Sequence, residues 1–155
     1  MILIQPSGDN YIGLDQSTGR TYSLAELESM ANRRDAEAQC AMGDYFNAKS
    51  EFHHCTSWYE KAAEQGHARA QWNLGNFYLA GLGGYQKDVA KAEVLFKGSA
   101  DQGWSPGMLG LGQLYMLQDK YVDAIYWLEK ADATGHPQAK EWLDKAETLR
   151  KMYGG

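Results

Sequence analysis

The spacing of apolar positions along this chain changes once. Over residues 1–22 they fall in short runs, Met1-Ile2-Leu3-Ile4 and Tyr11-Ile12-Gly13-Leu14. The turn cluster Gln16-Ser17-Thr18-Gly19 and the β-favouring Thr21-Tyr22 follow. Short apolar runs bounded by turn residues predict a small hairpin or meander. Two or three such strands are marginal alone, so they must lean on the helices that follow. From residue 23 the period is helical. Ser23-Leu24-Ala25-Glu26 has the form of a capping box, and Leu24, Leu27, Met30 and Ala31 then share one helical face. Leu74, Phe77 and Tyr78 repeat the pattern at i, i+3, i+4. A last helix, from Pro137 to about Met152, carries Trp142, Leu143, Ala146 and Leu149 on one face and polar residues on the other, the form of a terminal cap.

Between these ends the text repeats. Residues 36–67, 68–104 and 105–136 are three versions of one pattern: helix A, turn, helix B. Gly43, Gly75 and Gly112 lie inside the A helices at intervals of 32 and 37, and Gly66, Gly103 and Gly135 close the B helices at intervals of 37 and 32. A glycine inside a helix costs about 1 kcal/mol against alanine. Its appearance in all three copies calls for a close approach of helix B. Trp58-Tyr59, Leu95-Phe96 and Trp127-Leu128 supply bulk in B, and Gly66, Gly103 and Gly135 stand where a left-handed cap is expected. Pro137 is placed in the first turn of the last helix. Laid on this register, Leu27 takes the slot of Tyr59, so the helix after Ser23 is a half-repeat that seals the N-terminal end. In the last helix, Asp144 stands where the interior glycine would be. The five residues by which the middle copy is longer fall in Ala80–Tyr85. Loop-closure arithmetic puts such an excess at tenths of a kcal/mol, so this loop is expected to be dispensable for folding.

Composition narrows the picture. With 155 residues, 44% of them hydrophobic and 12% aromatic, the chain can bury one continuous core. A net charge of −5 without a Lys/Arg cluster argues against nucleic acid. No stretch reaches transmembrane length, and the N-terminus lacks the basic n-region of a signal peptide, so no membrane and a cytoplasmic setting are expected. Cys40 and Cys55 do not make a disulfide framework.

The string A-x-A-Q-x-x-L-G-x-x-Y…G-x-G…D-x-x-K-A…W-Y-x-K-A-A-E-Q-G-H resembles the Sel1-like repeat family, relatives of the tetratricopeptide repeat. Ala68 to Gly103 carries it best, with Gly81, Gly83, Asp88, Lys91 and Ala92, and Ser57 to His67 is close to the pattern for helix B. The resemblance covers residues 23–152 and leaves 1–22 outside, which divides the chain into an N-terminal extension and a solenoid. Copies one and three lack the Gly-x-Gly loop, and copy three has Pro106-Gly107 in place of Ala-x-Ala, so their loops should be tighter. The resemblance implies an all-α, right-handed superhelix of about three antiparallel helix pairs plus capping helices, with the A helices on the concave face. It implies a non-enzymatic adaptor that docks a protein or peptide there. The alternative is a dedicated inhibitor or immunity protein that occludes one bacterial toxin or effector enzyme, with the N-terminal hairpin offering a strand edge.

On that concave face the outward positions are Asp44, Asn47, Arg69, Trp72, Asn73, Asn76, Leu79, Gln113 and Met116, where amides could hold a peptide backbone and Trp72 and Met116 could give apolar contact. For Trp72, packing between repeats is the competing assignment. His53-His54-Cys55 is the one cluster with ligand chemistry, but no second pair stands at zinc spacing, and Cys55 takes the slot of Ala92 and Ala124. No metal and no cofactor are therefore expected. Both cysteines read as reduced thiols, and His67 and His136 as turn or cap residues. Gly81-Leu82-Gly83-Gly84 has no strand before it and no Gly-Lys-Ser/Thr after it. With no nucleophile elbow, phosphate loop or paired carboxylates in an apolar setting, no catalytic residue is expected.

Overall fold

A computed structural model describes residues 1–8 and 10–153. Three strands, β1 (Ile2–Ser7), β2 (Asn10–Asp15) and β3 (Thr21–Ser23), form an antiparallel meander in the order β1-β2-β3. Eight helices follow among the described residues: α1 (Leu24–Asn32), α2 (Ala36–Ala48), α3 (Phe52–Glu64), α4 (Ala68–Ala80), α5 (Val89–Asp101), α6 (Ser105–Leu117), α7 (Tyr121–Ala133) and α8 (Ala139–Tyr153). They stack as a solenoid in which each helix packs mainly on its neighbours in sequence. Helices α2, α4 and α6 are the A helices; α3, α5 and α7 are the B helices. No described helix is long and apolar enough to cross a membrane.

The interior glycines are contact points. A Cβ on Gly75 would stand 2.7 Å from Phe96 Cε1, and one on Gly112 would stand 2.7 Å from Leu128 Cγ. On Gly43 it would fall within the ring of Tyr59. Each bulky B residue is thus seated where its A helix has no side chain, and Tyr59, Phe96 and Leu128 are all but fully buried. The same device joins the meander to the half-repeat. Leu27 is fully buried, and a Cβ on Gly13 of β2 would stand 2.7 Å from Leu27 Cδ1 and 2.9 Å from Ile2 Cγ2. The sheet therefore stands where an A helix would pair with α1.

Local signals explain the ends. Ser23 makes both bonds of the capping box with Glu26. Gly66, Gly103 and Gly135 follow the B helices with φ of +80°, +82° and +78°. The turns after α2 and α6 are three residues long and bend through Ser50 and Asp119 in the left-handed region. Pro137 does not open the last helix. It lies two residues before Ala139, whose N–H donates to the His136 carbonyl at 3.0 Å, so the proline belongs to the turn.

The long connection after α4 is packed, contrary to the expectation of a dispensable loop. The Tyr85 ring stacks on Tyr78 at 4.2 Å, and its hydroxyl donates to Glu60 of α3. A Cβ on Gly83 would meet Thr56 Cγ2 at 2.6 Å. The loop reaches back over the preceding B helix.

Candidate functional site

Two arrangements lie on the A-helix side, and between them they take seven of the nine residues singled out from sequence. The first is a buried seam. Arg69, at the second position of α4, is 8% exposed. Its guanidinium donates to Asp44 Oδ2 at 2.6 Å, to Glu37 Oε1 at 3.3 Å and to the Ile2 carbonyl at 2.9 Å. Tyr59 donates its hydroxyl to Asp44 Oδ1 at 2.7 Å, and Asn73 donates to the same oxygen at 3.3 Å. Glu37 also accepts from the Ile2 N–H at 2.6 Å. His67 caps α4, its Nδ1 accepting from the Ala70 N–H at 3.3 Å. Its Nε2 is therefore the protonated nitrogen, and it faces Glu37 Oε2 at 3.1 Å.

The electrostatics follow from burial and pairing. Burial opposes the charge of Glu37, but the His67 bond, the Ile2 N–H and the Arg69 charge outweigh it and hold the carboxyl at about 2. Burial pushes Asp44 above the ordinary carboxylate range, against the pull of Arg69. Burial, then the Asp44 charge, pushes the Tyr59 phenol up, so it remains a donor. The seam ties β1, α2, α3 and α4 together and presents little polar surface.

Arg69 as an outward binding residue is accordingly corrected: it faces the seam, because Glu37 occupies the equivalent position one repeat earlier and the two stack. Asp44 and Asn73 are half-buried and engaged with it. Met116 is also corrected. It is 8% exposed and packs in the core of α5 to α8.

The second arrangement is a cleft of about 480 Å³ along α4, α6 and α8. It brings together Trp72, Asn76, Leu79 and Gln113. Asn47 lies outside it, in an adjoining hollow that shares Asn76 and Leu79. The sequence reading missed the contribution of Leu117, Gln138 and Trp142. Leu117 is 76% exposed, an apolar residue where the last turn of an A helix has no packing partner. Trp142, on the apolar face of the cap helix, keeps its ring half-exposed as part of the wall. No Asp, Glu, Lys or Arg lines this cleft among the described residues. Its polar lining is amides and one imidazole, His136, whose Nδ1 is engaged with the Gln138 N–H; amides and aromatic rings can hydrogen-bond and stack.

The remaining candidates are local. Cys40 and Cys55 are free and buried; burial raises the Cys40 thiol far above its ordinary range and the Cys55 thiol to about 12, which keeps both unreactive. His53 and His54 are exposed on the first turn of α3. His136 accepts from the Gln138 N–H at 3.3 Å. The sheet offers little edge to an added strand. Alternation places Ile2, Ile4 and Pro6 on the outer edge of β1; Ile2 is bonded to Glu37 and Arg69, and Pro6 has no N–H.

No family model matches the chain. It is 27% identical over 119 residues to an uncharacterized protein of Neisseria meningitidis serogroup B, a match covering 76% of this chain and 25% of that protein. The chain thus spans about a quarter of the length of that curated relative. Among solved structures it is similar to a protective antigen present in uropathogenic Escherichia coli strains displaying an SLR fold, with a TM-score of 0.76 and 28% identity over 81% of this chain and 28% of that one. It is also similar to a Sel1 repeat protein from Oxalobacter formigenes, with a TM-score of 0.67 and 31% identity over 79% of this chain and 97% of that one.

Proposed function

This chain belongs to the Sel1-like repeat family, and on that premise we propose that it is a non-catalytic adaptor that docks an uncharged segment of a partner protein in the cleft of α4, α6 and α8. The observation that carries this reading is the lining of the cleft. Trp72, Leu79, Leu117 and Trp142 provide apolar surface, while Asn76, Gln113 and Gln138 provide amides without charge. Amides suit a peptide backbone, which has one donor and one acceptor per residue, and the rings suit an apolar side chain between them. A charged segment would lose hydration there and find no carboxylate, lysine or arginine among the lining residues to pair with.

The test is a pull-down from the source cell followed by titration of the recovered partner. The double change Asn76→Ala, Gln113→Ala should weaken binding by about 1 kcal/mol for each amide, more where a partner group is left buried and unpaired, with no shift in melting temperature. Unchanged affinity in that variant would remove the cleft from consideration. Asn73 is not part of the test because it bonds to Asp44.

A further inference from the structure

Superposing the three B helices by register leaves one slot at odds. It holds Trp58 in α3, Trp127 in α7 and Leu95 in α5. Three residues on, Lys61 and Lys130 stand over those indoles at 3.9 and 4.7 Å, whereas α5 has Gly98. Trp58 covers the cluster of Leu27, Ala31 and Met42, and Trp127 is buried in the cluster that contains Leu111. In the matching seam between α3 and α5 no indole is present. A groove of about 560 Å³ remains, floored by Ala63, Leu74 and Tyr78 and walled by Leu95 and Val94, which is 71% exposed.

The rim of this groove is acidic. Glu60, Glu64 and Asp88 stand against the single Lys91. Lys91 lies 3.9 Å from Asp88 and 5.0 Å from the Tyr78 ring centroid, so its charge is answered within the rim. The neighbouring seam, between α5 and α7, has Lys97, Asp101 and Lys120 with Asp123 at the corresponding positions. The seam between α1 and α3 has Glu28, Asn32, Glu51 and His54 there, so three carboxylates at these positions occur only in the seam that lacks its tryptophan.

We propose that this groove is a second docking surface, for a basic peptide segment of a partner protein that inserts one tryptophan-sized aromatic side chain. The ring takes the place that Trp58 and Trp127 fill in the other seams. Flanking lysines or arginines face Glu60, Glu64 and Asp88, which speeds encounter and makes binding salt-dependent. A second copy of this chain is the poorer occupant: its net charge of −5 repels, and its own tryptophan–lysine pairs are already stacked within α3 and α7. This surface shares no lining residue with the cleft on the A helices, so either can fail alone.

The experiment is a nuclear magnetic resonance titration of the full chain with a blocked lysine–lysine–tryptophan–lysine–lysine peptide and its glutamate–glutamate–tryptophan–glutamate–glutamate counterpart. The basic peptide should shift the amide signals of Ala63, Val94 and Leu95 and weaken several-fold as salt is raised; the acidic peptide should do neither. Leu95→Trp, which fills the groove, should weaken the basic peptide about tenfold or more. Glu64→Lys, on an exposed position that leaves folding unaffected, should weaken it several-fold. The proposal is overturned by equal shifts from both peptides, by shifts confined to the cleft around Trp72 and Gln113, or by affinity undiminished in both variants. A dimer that Leu95→Trp dissolves would also overturn it, since the occupant would then be a second copy.

Discussion

A single hydrogen atom decides the packing at Gly43, Gly75 and Gly112. The ring of Phe96 lies where a Cβ on Gly75 would be, and a flexible neighbour cannot yield because Phe96 is 1% exposed and enclosed. Gly75→Leu should destabilise by about 3 kcal/mol or more, at the top of the usual range for overpacking, read as a lowered midpoint in urea. An unchanged midpoint would contradict the contact. This part of the molecule was legible in the sequence, because a residue that lowers helix stability yet recurs in register with a bulky partner encodes a contact. Arg69 was not legible in the same way. Its slot on α4 reads as outward by helical period alone, and its burial depends on Glu37 one repeat earlier and on a strand carbonyl from residue 2. The available signal was the opposite charge at equivalent positions of adjacent repeats.

Elements of this fold are uniform where they stack and individual where they connect. Every A and B helix of the three copies has 13 residues, whereas the turns differ. Helix positions were legible from period; the packing of the long turn was not, since glycines carry no apolar periodicity to reveal it. Shortening the segment 81–88 to the three-residue turn of the other copies should lower stability by about 1–2 kcal/mol through loss of the Tyr85 stacking and its bond to Glu60. For a chain of this size that corresponds to a fall of several degrees in melting temperature. A melting temperature within experimental error of the parent would show that the connection packs without contributing. The cleft was half legible: Trp72, Asn76, Leu79 and Gln113 come from A-helix period, while Leu117, Gln138 and Trp142 required knowing where α8 settles.

For the molecule as a whole, contacts are mostly between elements adjacent in sequence, and the farthest-reaching hydrogen bond among the described residues is the one by which Arg69 of α4 holds the carbonyl of Ile2 across 67 positions. That bond has a kinetic consequence. Closing so long a loop is entropically slow, while helix pairs close short ones, so the solenoid should assemble first and the meander should dock onto a formed α1–α4 surface. Mutations at the two places should then divide differently between folding and unfolding rates. Ile2→Ala, at a position 4% exposed, should leave the folding limb of the chevron in place and accelerate unfolding, whereas Leu74→Ala, between stacked pairs, should slow folding. Equal slowing of folding by both would place the strand in the nucleus. A strand that docks last would make the N-terminal seam the slowest part of the molecule to form and the first to open, and its lifetime would then limit that of the intact stack.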